Sequence, residues 1–216
     1  MAGYLDIETW HRRQHFEFFK SFDNPFFNIC ANVDVAPLVG LTRAAKSLSF
    51  FLTYLFLSMK AANEVEPFRY RLRGDRVFVH DRIHAGTTLL LADESFTFVY
   101  FDYDSDFEVF HARAEAAVAS AQAGASRLDQ RDGEDDLIHH SVIPWIAFTS
   151  FSHARNWRRL DSIPKIVFGK RHENGERILM PVSVEVHHAL MDGLHVGRYF
   201  EKFESYCANP RSALNL

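Results

Sequence analysis

The run Arg177 to Val186 is largely apolar and ends in His187-His188, and Asp192-Gly193 follow shortly after. It reads as a strand that delivers two histidines to its end, then an aspartate and a glycine at the start of a helix. Side chains alternate across a strand, so the two imidazoles point to opposite faces and only one can serve a given site. An imidazole with an ordinary pKa near ~6.5 is the usual group for taking a proton from a hydroxyl or thiol. From the residues alone, a histidine here either caps the strand or acts as a general base. Asp192, by position alone, is either a helix N-cap or part of a site.

The remaining pattern alternates helix and strand with no internal repeat and no linker, so residues 1–216 are expected to form one α+β domain, a mixed sheet packed with helices. Thr9 is placed to cap a first helix that turns Phe16 and Phe19 inward, and Asp34 with Pro37 fits the opening of a second. Phe50 to Met59 is far short of the ~20 residues of a membrane span and reads as a buried helix. Ser105 with Glu108 forms a capping-box pattern for a helix to about Gln122. Arg76–Val79 and Phe96–Phe101 read as strands, and Ala123–Asp136 as a loop. Ile166–Lys170 and Arg177–Val186 flank Asn174-Gly175, a hairpin signal. Val196, Tyr199, Phe200 and Phe203 recur at helical spacing and close the chain with an amphipathic helix.

Composition narrows the function. With 47% hydrophobic residues and 21 phenylalanines in 216, disorder is excluded. A net charge of -4 offers no surface for nucleic acid. Cys30 and Cys207 form neither a metal-type pair nor a disulfide framework, which suits a reducing, cytoplasmic setting. The opening residues show no secretory pattern, and no membrane association is expected. Twelve histidines raise the question of zinc, yet there is no H-E-x-x-H, no cysteine cluster and no carboxylate at ligand spacing, so no metal is expected.

The string His187-His188-Ala189-Leu190-Met191-Asp192-Gly193-Leu194-His195-Val196-Gly197-Arg198 resembles the signature of the chloramphenicol acetyltransferases. Trp10-His11-Arg12-Arg13-Gln14-His15-Phe16-Glu17 is similar to that family's amino-terminal W-x-R-x-x-H-F-E segment, and Pro144-Trp145 with Phe148-Thr149-Ser150-Phe151 to its P-W-x-x-F-x-S-F strand. Phe168-Gly169-Lys170 and Met180-Pro181 fit in the same order, so the resemblance runs from about Ile7 to Cys207. It implies the acyltransferase fold of that family and an acetyl-CoA-dependent O-acetyltransferase that acts on chloramphenicol and confers antibiotic resistance. Acetyl-CoA is then a cosubstrate, with no tightly bound cofactor. The resemblance also implies a homotrimer with active sites at subunit interfaces.

Residue by residue, the resemblance makes His188 the base and His187 structural. Asp192 pairs with Arg12 to hold the site's shape. Ser141 supplies a hydroxyl to the oxyanion, Lys170 lies near the nucleotide of CoA and Trp145 beside the cosubstrate. By spacing alone, Ser141 would be an ordinary strand-start residue, Lys170 a surface charge and Trp145 a core aromatic. Phe18, Phe19, Phe27, Phe96 and Phe151 are candidate acceptor-pocket walls, since an aryl acceptor needs apolar surroundings with few polar contacts. Three departures bear on the acceptor. Val167 stands where the family has a threonine that holds a water, Phe19 where it has a tyrosine, and Arg127-Leu128-Asp129 replaces an aromatic followed by proline.

Other readings remain open on these residues. The acceptor is chloramphenicol or another alcohol. A dihydrolipoamide acyltransferase core shares the chemistry but usually carries D-H-R-x-x-D-G and a lipoyl domain, neither found here. A non-catalytic relative that binds drug or CoA would not need His188, Asp192, Arg12 and Ser141 together.

Overall fold

Two hydrophobic periods alternate along the chain, and the architecture follows from how they pack. A computed structural model describes residues 2–124, 131, 133–156 and 161–216. The elements begin with β1 (Gly3–Tyr4), α1 (Arg13–Phe19), β2 (Phe26–Asp34), α2 (Ala36–Ala44) and α3 (Phe50–Glu64). After a 3-10 turn at Glu66–Arg69 come β3 (Tyr70–Arg73), β4 (Arg76–Val79), β5 (His84–Leu90), β6 (Phe96–Phe101) and α4 (Phe107–Gln122). The chain continues with β7 (Leu137–Ile143), β8 (Lys165–Gly169), β9 (His172–Asn174), β10 (Arg177–His187), α5 (Gly193–Ala208) and α6 (Pro210–Leu214).

Seven strands form one mixed sheet in the order β2-β10-β8-β7-β5-β6, with β9 on β10. β7 runs parallel to both β5 and β8, and the other pairs are antiparallel. A smaller sheet is ordered β1-β4-β3. This is the expected α+β class.

Alternation along β10 divides the large sheet into two chemically distinct faces. Met180, Val182, Val184 and Val186 join Ile138, Ile166, Phe168 and Val99 against helix residues such as Leu55, Tyr199 and Phe203, all buried in one core. Each fully buried side chain of this size contributes about 1.5–3 kcal/mol. The intervening residues Ser183, Glu185 and His187 are buried as well, but they face the other way. That second face carries the polar chemistry.

Pro181 interrupts β10 without breaking a ladder. Val35 N–H donates to Ile178 O at 2.8 Å, which fixes the hydrogen-bonded positions of the β2–β10 pair and makes Pro181↔Asn32 a non-hydrogen-bonded one. The missing N–H thus points into the gap between β9, which ends its pairing at Leu179, and β8, which begins at Val182. The Asn174-Gly175 hairpin forms as expected, with Gly175 at φ +62°, a value that favours glycine.

Helix starts differ from expectation by a residue or more. α1 opens at Arg13 with no side-chain cap, because Thr9 Oγ1 instead donates to the Asp6 carboxylate at 2.9 Å. Val35, not Asp34, precedes α2, and Asp34 accepts from Ala36 N–H at 3.0 Å from the strand end. Asp106 rather than Ser105 caps α4, accepting from Glu108 and Val109 N–H. A carboxylate one residue downstream outcompeted the hydroxyl. The strands Arg76–Val79 and Phe96–Phe101 and the buried α3 match the sequence reading. So does α5, with Val196, Tyr199, Phe200 and Phe203 buried. Among the described residues no helix is long and apolar enough to cross a membrane.

Arg71 ties the two sheets together. Its side chain is fully buried, and its guanidinium donates to the carbonyls of Phe68 (2.8 Å), Tyr70 (2.6 Å), Leu137 (2.6 Å) and Asp135. Burial draws its pKa down to about 10, so it stays charged at neutral pH.

Candidate active site

His188 follows the last residue of β10 and prolongs its ladder by one step, donating its N–H to Pro25 O at 2.7 Å. By alternation it shares the helix-covered side with Val186, while His187 turns to the other side, where Phe26 meets it edge-on at 5.0 Å. Phe19 stacks on the His188 ring at 3.8 Å and 10°, and Phe27 lies at 4.7 Å. Nδ1 of His188 is sealed from solvent with no hydrogen-bond partner among the described residues. Nε2 is the ring nitrogen left to reach the surface. Phe18 and Phe22, both exposed, close an aromatic cluster with Phe19 at centroid distances of 5.0–5.1 Å.

His187 is a buried residue with a structural contact, since its Nδ1 accepts from Ala189 N–H at 3.3 Å. Burial pulls its pKa down to about 4. It is neutral at physiological pH.

Both readings of Asp192 hold at once. One oxygen accepts from Leu194 N–H at 3.1 Å and caps α5, and the other pairs with the buried Arg12. Arg12 also reaches the carbonyl of His188 at 3.4 Å. Burial alone would raise the carboxyl's pKa, but the Arg12 charge, His195 and the hydrogen bonds the carboxylate accepts together hold it low. Asp192 therefore couples the start of α5, the amino-terminal segment and the main chain of His188.

A second group assembles around Ser141. This residue lies inside β7 rather than at its start, opposite Val167, which is opposite Ser183. All three point to the polar face of the sheet. Ser141 lines a cavity of about 780 Å³ with Gly86, Thr88, Phe98, Tyr100 and His139. Phe96 lies at its edge, exposed and 5.9 Å from Phe98. Four residues after Ser141, Trp145 is 61% exposed rather than buried in the core. The Pro144-Trp145 turn could not pack inward, because the next residues lie tightly on β8: a Cβ at Gly169 would come within 2.9 Å of the Phe148 ring. Lys170 N–H donates to Ile146 O at 2.9 Å, which brings the main chain of the exposed Lys170 to the residue that follows Trp145. Phe151 packs with Phe148 and His153 in the same segment. Val167 is fully buried and brings no hydroxyl to this group.

One chain does not bring the two groups together. Ser141 is level with Ser183, two strands across, and His188 is five residues farther along β10. At about 3.3 Å per residue and 4.8 Å per strand the separation is on the order of 19 Å. The two side chains also leave opposite faces of the sheet.

A buried ionic network escaped sequence reading. Arg155 bridges Glu185 and Asp161 (3.1 Å), with Lys165 3.5 Å from Asp161 and His153 3.8 Å from Glu185. Burial would raise the Glu185 carboxyl, but nearby His153 and the charge and hydrogen bond of Arg155 hold it low. The network clamps the segment after β7 onto the polar face, and the Arg155 guanidinium lies 3.2 Å over the Phe26 ring. Its members are scattered from 153 to 185, so no spacing rule joins them. An acidic residue near the end of a largely apolar strand was the one available hint. Arg127-Leu128-Asp129 lies outside the described residues.

Comparisons with known proteins bear on the family and the fold. Residues 2–204 match the family described as chloramphenicol acetyltransferase. A chloramphenicol acetyltransferase of Escherichia coli is 28% identical over 212 residues, 96% of this chain and 95% of its own. A solved chloramphenicol acetyltransferase superposes with a TM-score of 0.85 at 30% identity, covering 96% of this chain and 100% of the other. A dihydrolipoamide acetyltransferase of Azotobacter vinelandii superposes at 0.69 with 16% identity, over 93% of this chain and 88% of its own, a likeness of fold alone.

Proposed function

Because this chain belongs to the chloramphenicol acetyltransferase family, a family of acyltransferases, we propose that it O-acetylates chloramphenicol from acetyl-CoA, with His188 of one subunit and Ser141 of another completing each site. The observation that carries this reading is the separation of the two residues. A base and an oxyanion donor must both lie within about 3 Å of the reacting atoms, and a single chain holds them on the order of 19 Å apart on opposite sheet faces. Closed cyclic symmetry repairs the gap by placing one subunit's His188 over the next subunit's Ser141 cavity, and a homotrimer is the arrangement we infer. The exposed Phe18, Phe22, Phe96 and Trp145 are surfaces for such an interface to cover.

In this reading Nε2 of His188 takes the proton of the acceptor hydroxyl as its oxygen attacks the thioester carbonyl. The C–O bond forms, the carbonyl electrons move onto oxygen, and the Ser141 hydroxyl donates to that oxyanion. Collapse expels the CoA thiolate, which recovers the proton from His188. Asp192 and Arg12 move no proton. They hold the His188 main chain and the start of α5. Trp145 and Lys170 contribute an exposed ring and an exposed ammonium from neighbouring main-chain positions, suited to the adenine and phosphates of CoA.

Thiol release with acetyl-CoA is expected with chloramphenicol among a panel of alcohols, and bacteria expressing the protein should survive the drug. Folded protein that acetylates no alcohol removes the proposal. Subunit sharing has its own test: His188→Ala and Ser141→Ala proteins, each severely impaired, are unfolded, mixed and refolded together. About a quarter of the sites in randomly mixed trimers should regain both groups. No recovery in mixed oligomers contradicts a shared site.

A further inference from the structure

His139 lines the cavity two residues before Ser141 and on the same side of β7. Two residues apart on one strand, their Cα atoms are separated by about 7 Å, the span of a small molecule's functional groups. His139 is paired with Gly86 on one flank and Lys165 on the other. The absence of a side chain at Gly86 matters, because a Cβ there would come within 3.2 Å of the Tyr100 ring and 3.9 Å of His139 Cδ2. The glycine keeps the floor open between two rings.

Several histidines of this fold are committed to hydrogen bonds, and His139 is not among them. His80, His84, His187 and His195 each engage a ring nitrogen with a carboxylate or main-chain N–H. The His139 ring is accessible from the cavity, and no hydrogen bond occupies its nitrogens among the described residues. Lys165, its charged neighbour, is held 3.5 Å from Asp161. Protein packed around the ring pulls its pKa down to about 4. At neutral pH it therefore offers one donor and one acceptor.

We propose that His139 is a specificity-determining residue, hydrogen-bonding a polar group of the acceptor other than the hydroxyl that is acetylated. This rests on the reading of the Ser141 cavity as the acceptor site. A ring without a hydrogen-bonding partner, one side-chain position from the oxyanion donor, discriminates between acceptors that can pair with it and those that cannot. Chloramphenicol, with an amide and a second hydroxyl near its primary alcohol, can. A plain phenyl-substituted primary alcohol cannot.

The test compares kcat/KM for those two acceptors in wild type, His139→Phe and His139→Asn, with the KM for acetyl-CoA as a control. Phenylalanine keeps a ring and deletes both nitrogens. It should lower kcat/KM for chloramphenicol about tenfold or more, chiefly through KM, while the plain alcohol changes less than about threefold. Asparagine should restore part of the preference, and the KM for acetyl-CoA should not move. If the phenylalanine variant does not fold, His139→Ala carries the same expectation. An active wild type whose acceptor ratio is unchanged in the apolar variant overturns this assignment alone. A wild type that acetylates no alcohol overturns the proposed function and this assignment with it.

Discussion

Asp192 accepts from Arg12 with one carboxylate oxygen and from the first turn of α5 with the other. One short side chain thus ties the amino-terminal segment to the start of α5, about 180 residues away in sequence, and its loss should register as stability before chemistry. Arg12 is buried with a side chain only 6% exposed, so Asp192→Ala strands a guanidinium. Because Asp192 itself is 31% exposed, the expected cost is about 2–4 kcal/mol, below that of a fully buried pair. Asp192→Asn, which keeps a cap, should recover about 1 kcal/mol in thermal melts. Equal melts for wild type and Asp192→Ala would remove the scaffold role.

The two adjacent histidines should separate stability from turnover. His188→Ala is expected to abolish acetyl transfer and leave acetyl-CoA binding largely intact, as read by kinetics and calorimetry. His187→Ala removes a buried ring in contact with Phe26 and should cost about 1–3 kcal/mol with the chemical step retained. Equal loss of that step in both folded variants contradicts the assignment.

Ser141→Ala should act on the transition state alone. Its hydroxyl makes no hydrogen bond to the described protein, so melting should barely change. Loss of one oxyanion donor typically lowers kcat by ~10²–10³. A variant with wild-type kcat, when chemistry limits the rate, shows that another group serves the oxyanion.

Acid should weaken the fold through buried neutral histidines. Burial lowers His140 to about 3 and His187 to about 4. Both values lie below the ~6.5 of an unfolded histidine, so in between the unfolded chain holds more protons. Stability is complete above about pH 6.5 and falls as pH drops toward 4. His140→Phe, which can keep the stack on Phe168, should flatten that slope by about 1.4 kcal/mol per pH unit in denaturant titrations. An unchanged slope would mean that His140 charges freely in the folded protein.

Much of the fold was legible because period and position agree. β10 is apolar on the helix side and bounded by turn signals, and α5 repeats its apolar residues every three or four positions. Cap choice was less legible, since Ser105 and Asp106 are both cap formers and only the local backbone decides between them. The His188 and Asp192 half of the candidate site is contiguous in sequence and was read from a motif. By spacing alone Trp145 defaults to the core, and only the close packing of Phe148 on Gly169 turns it outward. The cavity wall containing His139 and the Arg155 network are assembled from strands whose order cannot be read from spacing.

Arg71 has a consequence for how such a chain changes over time. Its donors reach main-chain carbonyls on β3, the turn before it and the start of β7, and those atoms are the same whatever side chains surround them. Substitutions at Phe68, Tyr70 or Leu137 can alter packing while leaving these bonds in place. The strut itself is not exchangeable, because a lysine ammonium lacks the planar fork that serves several carbonyls in different directions. A lineage can therefore rewrite most of the wall near the cavity while the frame keeps its alignment, so acceptor preference can drift faster than architecture.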